Sequence, residues 1–166
     1  MTTEQKFKVP FIEGTQAIKE VLEACEELGL MWFDCSVPPE QIHTLFKQQS
    51  EFAYGVLTTS DADTKESKSM VFWDFWLDLE IYSNYKGRKV VAQKIEALIN
   101  YLSDSEDGGG FTLLCEKLSA GSYNLLSVST GKLHIGLPER GDIGVWQYGS
   151  IPLVLHLEQK KKEVNN

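Results

Sequence analysis

Residues Ser69 to Tyr82 read S-M-V-F-W-D-F-W-L-D-L-E-I-Y, and in steps of two they separate into two unlike surfaces. One surface carries Val71, Trp73, Phe75, Leu77, Leu79 and Ile81, and the other carries Phe72, Asp74, Trp76, Asp78, Glu80 and Tyr82. Alternation of this length, in a run rich in aromatic and branched residues, predicts a β-strand with one face in a core. The second face interleaves three carboxylates with three aromatics. Unpaired charges are costly to bury, so this face must meet solvent, a partner or a lumen.

The rest of the chain supplies what such a strand packs against. Ile18, Val21, Leu22, Cys25 and Leu28 recur at helical spacing, with Lys19, Glu20, Glu23, Glu26 and Glu27 on the other side, which predicts a helix over about 14–28 stopped by Gly29. Leu30 to Phe33 reads as a short strand ended by Ser36-Val37-Pro38-Pro39, and Glu40 to Gln49 as either one short helix or an irregular loop. Phe52 to Thr59 alternates as a second strand. The polar run S-D-A-D-T-K-E-S-K after it reads as a solvated hairpin loop with Asp61 and Asp63 at its tip, so the two flanking strands pair antiparallel.

Beyond Asn84 the period changes to 3.6. Val91, Ile95, Leu98 and Leu102 form one stripe of a helix over about 87–103. D-S-E-D-G-G-G follows as a flexible acidic linker, F-T-L-L-C-E-K-L reads as a strand, and residues 119–144 read as hairpins or an irregular excursion. In Val145 to Glu158 the alternation of Ile151, Leu153, Leu155 and Leu157 predicts a last core strand, with Pro152 at an edge or bulge and His156 on the other face. The order describes an α+β protein: a mostly antiparallel sheet with two main helices packed on one face and the other face free. At 166 residues it is expected to form a single domain, with residues 1–13 as an N-terminal arm and 159–166 as a flexible charged tail.

Charge narrows the partners. The net charge is −8, and the tail, with three lysines and one glutamate, leaves −10 on the rest. Such a field repels nucleic acid and anionic lipid, so it argues against a phosphate-gripping reader but not against a surface past which DNA slides. No apolar run approaches bilayer length, and the start of the chain lacks the apolar core of a signal peptide, so cytoplasmic synthesis is expected. Cys25, Cys35 and Cys115 lack C-x-x-C spacing and are expected to be free buried thiols.

No catalytic or metal motif reaches comparable strength. Asp74, Asp78 and Glu80 are more simply solvating or luminal charge than a glycosidase-type acid pair. Asp61-Ala-Asp63 lacks the glycine and terminal glutamate of a calcium loop. His43, His134 and His156 stand in no ligand spacing, Cys115 lies among leucines as a core thiol, and Gly108 to Gly110 lack the Lys-Ser/Thr pair of a phosphate loop. The expectation is a protein that is not an enzyme and binds no cofactor or metal.

The run F-W-L-D-L-E-I-Y-S-N-Y-K-G-R-K-V-V-A-Q-K-I-E-A-L-I-N-Y-L, residues 75–102, resembles the central signature of tail-completion, or tail-terminator, proteins of long-tailed phages and prophages. In that pattern an amphipathic strand ending in an aromatic-small pair passes through a short polar turn into an amphipathic helix. Ile81-Tyr82-Ser83 and Gly87 occupy those places, and Trp146 and Tyr148 form a W-x-Y-like stretch before the last strand. The stretches 119–144 and 34–50 are longer than the pattern. The resemblance implies a non-enzymatic ring at the head-proximal end of the tail, assembled in the bacterial cytoplasm and carried in the virion. Its partners would be its own copies and tail-tube or head-connector proteins, with DNA passing unbound. A lumen must not hold the passing genome, which makes Asp74, Asp78 and Glu80, with Trp76 and Tyr82 beside them, its candidate lining or partner face, and Asp104, Glu106 and Asp107 the second choice. Two alternatives stay open. The acidic face is an outer solvated one, or Phe72, Trp76 and Tyr82 form the binding face of a stand-alone adaptor.

Overall fold

A computed structural model describes residues 6–35, 39–67, 69–136, 139–141 and 144–161. The elements are α1 (Phe11–Glu23), β1 (Met31–Asp34), α2 (Pro39–Leu45), β2 (Ala53–Ser67), β3 (Met70–Ser83), α3 (Lys89–Ser103), α4 (Gly110–Ala120), β4 (Tyr123–Thr130), β5 (His134–Ile135), β6 (Glu139–Gly141) and β7 (Gly144–Gln159). The sheet order is β1-β2-β3-β7-β4, with β5 and β6 also pairing β7. Among the described residues only β1 and β2 run parallel; the other pairs are antiparallel. The architecture is α+β.

The strand that reads most clearly in the sequence is the centre of the sheet. Val71, Trp73, Phe75, Leu77, Leu79 and Ile81 of β3 and Ile151, Leu153, Leu155 and Leu157 of β7 are all buried. They pack with Ile18, Val21 and Leu22 of α1, Val91, Ile95, Leu98 and Leu102 of α3, and Leu114 and Leu118 of α4. Burying each such side chain removes enough apolar area to contribute roughly 1.5–3 kcal/mol.

Three helices, not two, cover this face. The third is α4, where a strand was expected over 111–118. Leu114 and Leu118 are one helical turn apart and both buried, so the helical period is the one the core rewards. The glycines before it are a close-packed corner and not a loose linker. A Cβ on Gly109 would lie 2.4 Å from the Asp104 carbonyl oxygen, and one on Gly110 would lie 2.5 Å from that of Tyr101. Side chains there would force α3 and α4 apart.

The polar run after Thr59 is a strand as well. β2 continues to Ser67 and pairs with β3 as far as Met70, so Asp61 sits opposite Trp76 and Asp63 opposite Asp74, well before the tip. The run buries no side chain fully and brings only Ala62 to the border of the core, so it carries no hydrophobic period; its backbone bonds to β3 hold it extended.

The described residues nearest both ends, 6–10 and 159–161, are held by hydrogen bonds to the body. α1 begins at Phe11, with Pro10 at the N-cap position, and ends at Glu23, so Leu28 lies buried in the turn beyond it. The arm before it is pinned by Gln159, whose Oε1 accepts from Lys8 N (3.0 Å) and Trp73 Nε1 (3.1 Å) and whose Nε2 donates to Lys6 O (2.8 Å). Gln159 therefore ends β7, and Lys160 N donates to Ser122 O at 2.9 Å; residues 162–166 lie outside the described set. β7 is not an edge strand either. Pro152 falls in the interval between β4 and β5, where its carbonyl accepts Gly131 N–H, so its missing donor costs no ladder bond to β3.

Candidate functional site

The outer face of β3, turned from the helices, holds Phe72, Asp74, Trp76, Asp78, Glu80 and Tyr82 in one row. Its cross-strand partners on β7 are Glu158, His156, Val154, Pro152, Ser150 and Tyr148 in the same order. On the β2 side the partners include Lys65, Asp63, Asp61, Val56 and Tyr54. The five residues predicted for the site are thus brought together, but the face has two unlike halves.

The lower half is covered. α2 and the residues after it bring Ile42, Phe46 and Phe52 over Tyr54 and Val56, forming a second small core against which Tyr82 packs. Tyr82 stacks on Tyr54 (5.4 Å between ring centres) and on Tyr148 (6.0 Å), and its hydroxyl donates to the Glu80 carboxylate. The free outer face is therefore corrected: Tyr82 is a packing residue here, and Glu80 is held by it. Burial, with Glu80 nearby, pushes the Tyr54 hydroxyl up to about 12. The sequence signal for this cover was the weak apolar spacing of Ile42, Leu45 and Phe46, which could not say where α2 docks.

The upper half is open and acidic. Asp78 accepts from Thr59 Oγ1 at 2.6 Å, Trp76 is 44% exposed, and Asp61 and Asp63 are exposed beside them. Asp74 is the tethered carboxylate. His156 Nδ1 lies 2.7 Å from its Oδ1, Lys65 Nζ lies 3.5 Å from Oδ2, and His156 Nε2 lies 3.0 Å from Ser129 Oγ on β4. With the proton on Nδ1, His156 donates to Asp74 and accepts the Ser129 hydroxyl, so the chain of contacts ties β3, β7 and β4 together. The order serine, histidine, carboxylate is that of a nucleophile relay, yet it lies on an open sheet surface. Two cavities lie elsewhere, one of 390 Å³ between α3 and β5, lined by Ile95, Ile99, Leu133 and Ile135, and one of 750 Å³ beside Met31, Phe52 and Lys94.

Asp104, Glu106 and Asp107 do not join this face. They lie exposed in the turn between α3 and α4, where the Asp104 carboxylate accepts Glu106 N–H at 3.0 Å. Of the cysteines, Cys25 is buried, Cys115 is half-buried and Cys35 is exposed, which corrects the expectation of three buried thiols. Burial, with Glu116 nearby, pushes the Cys115 thiol up. Among the described residues no group of three His, Cys, Asp or Glu side chains is placed to hold a metal ion, and no helix is long and apolar enough to cross a membrane.

No family model and no curated protein matches the sequence. Among solved structures, a chain from the virion of a native gene transfer agent (GTA) particle shares the fold. The TM-score is 0.52 at 12% identity, over 86% of this chain and 92% of that one. At this identity the likeness is one of fold. It includes nearly the full length of the GTA chain, so the sheet and its helices are matched as a unit and not as one common hairpin.

The tethered carboxylates give a pH dependence. Burial raises the Asp74 carboxyl, but the His156 hydrogen bond and charge, with Lys65, outweigh it and hold it below its ordinary 3.8. Burial likewise raises Glu13, and the Lys8 bond with two Ser122 bonds holds it below its ordinary 4.5. A depressed folded-state value means stability that is present above the unfolded value and lost as pH falls through the folded one. Urea midpoints should therefore fall with acid below about pH 4, and Asp74→Asn should flatten that limb while lowering the neutral-pH midpoint. An acid limb of unchanged steepness in Asp74→Asn would show that this carboxylate is not held by its partners.

Proposed function

We propose that this chain is a structural protein of a phage-like virion, and within it a non-enzymatic tail-completion or tail-terminator protein. In this role copies of the chain form a ring that caps the tail tube and joins it to the head. Its partners are other copies of itself, the tail tube and the head connector, and DNA passes without specific binding. Assembly takes place in the bacterial cytoplasm, and the protein stays in the virion.

The observation that carries the reading is the fold shared with a GTA virion chain over 92% of that chain. The tail-completion pattern in the sequence is a second line of support. β3 ends on Ile81-Tyr82-Ser83, Gly87 turns the chain at φ +85°, and α3 starts at Lys89. The open half of the outer face adds a physical reason: Asp61, Asp63, Asp74 and Asp78 give it the charge that lets a polyanion pass without adhering. The adaptor reading loses its platform, because Tyr82 is packed, Phe72 is half-buried, and Trp76 alone of the three is exposed.

Deletion of the gene from a phage or prophage that encodes it tests the role. Electron microscopy should show tails of irregular length that are not joined to heads. Tails of normal length joined to heads in the deletion strain would end the proposal.

A further inference from the structure

We infer that the ring contact is a strand pairing, in which β4 of one copy adds to residues 60–67 of β2 of the next. The inference rests on the ring reading above, and four features of the fold carry it.

The first is level. β7 residues 153–159 pair β4 on one side and β3 residues 71–77 on the other, and β3 in turn pairs β2 residues 60–67. At this height the sheet is a four-stranded panel with β2 and β4 as its two sides. β1 shields β2 only over residues 54–57, so among the described residues no strand pairs the outer edge of 60–67 or of β4.

The second is direction. Three antiparallel pairings in succession leave β4 running opposite to β2. Two copies placed side by side in the same orientation therefore bring β4 against β2 as an antiparallel pair. This is a head-to-tail contact, and repeated around an axis it closes a ring.

The third is charge. Exposed edges are ordinarily protected by lysine, proline or inward charge, yet β4 reads Y-N-L-L-S-V-S-T with no charge and no proline, and Leu126, at its bulge, is 51% exposed. Residues 60–67 of β2 do carry charge: Asp61, Asp63, Lys65 and Glu66. Two β2 edges repel one another, whereas the uncharged β4 edge accepts either. On the outer face Ser127 and Ser129 of β4 would meet the Asp61 and Asp63 side of the next copy.

The fourth is the helix-side surface. Ala62 on β2, and Leu125 and Val128 on β4, are partly buried apolar residues at the two borders of the main core. Joined edges bring these borders together and continue one core into the next.

Charge substitution on the full chain reads the pairing, with association measured by sedimentation up to millimolar concentration. Ser127→Lys, facing the acidic edge, should tighten association by roughly threefold per contact, and Ser127→Glu should weaken it by a similar factor. In a background of Asp61→Lys and Asp63→Lys the two effects should exchange sign. If lysine and glutamate at 127 both weaken association, β4 pairs with a second β4, and the inference falls. If a ring forms and neither substitution changes it, the contact lies elsewhere; the inference falls while the ring reading stands. A chain that stays monomeric at every concentration overturns the pairing, and the tails of the deletion strain then judge the virion role separately.

Discussion

Leu77→Asp unfolds the protein. Leu77 is 1% exposed at the middle of β3, paired with Leu153 of β7 and with Ser60 of β2, and it faces the layer of α1, α3 and α4. The substitution removes its apolar contacts and leaves a carboxylate without a partner among leucines and phenylalanines. Breaking a buried charge pair, the nearest measured case, costs about 3–5 kcal/mol, and the lost packing adds to it. A domain of this size has a total of about 5–15 kcal/mol, so the variant should lose its cooperative thermal transition and near-ultraviolet circular dichroism at 25 °C or just above. One residue along, the chain should tolerate change. Asp78 is on the outer face and accepts from the exposed Thr59 hydroxyl, so Asp78→Asn keeps an acceptor and should shift stability by no more than about 1 kcal/mol. A cooperatively folded Leu77→Asp protein would overturn the register of the sheet.

If the proposed tail role is right, changing Asp61, Asp63 and Asp78 together to lysine should leave folding intact and abolish DNA delivery. These three carboxylates are chosen because Asp74 is held by His156 and Lys65, and Glu80 by Tyr82 within the second core, whereas Asp61 and Asp63 are exposed and the Asp78 carboxylate, among the described residues, accepts only the Thr59 hydroxyl. A lysine at position 74 would stand beside His156 and Lys65, so a folding defect there would be mistaken for a defect in passage. In the single chain Asp61 and Asp63 are exposed and Asp78 is half-buried, giving up one bond from Thr59. If they face the DNA passage, each subunit then presents cations to phosphate. The salt dependence of DNA binding would gain a slope of up to about −3 per subunit contacting the duplex. Assembled particles with normal tails should adsorb but fail to release their genome, with infectivity recovering as salt is raised. Fully infectious particles would remove these residues from the lumen. Particles that fail to assemble would show that lysines at 61 and 63 disturb the strand pairing inferred above, or that Asp78 meets the tube.

How far the sequence reached depends on what periodicity reports. A strand or helix with one face in a core must repeat its apolar residues at its own period, so β3, β7, α3 and the stripe of α1 were legible from spacing alone. β2 beyond Thr59 brings only Ala62 to the border of the core, and without a buried face there is no period to read; its extended form comes from pairing with β3. α4 is the opposite case. Its run of two leucines followed by Leu118 satisfies strand and helix alike at that length, and only the helix places Leu114 and Leu118 against α1 and α3.

The candidate site divides the same way. That Asp74, Trp76, Asp78, Glu80 and Tyr82 share one face, opposite the core, was determined by the sequence, because side chains alternate across any strand. Which of them remain open was decided by tertiary structure. α2 covers Tyr82 and its neighbours from a segment some forty residues earlier, and His156 reaches Asp74 from a strand 82 residues later. Such partners depend on strand order and register, which are set by how the whole core closes. Local pattern fixes which way a residue faces; the partner it meets there is a long-range property of the fold.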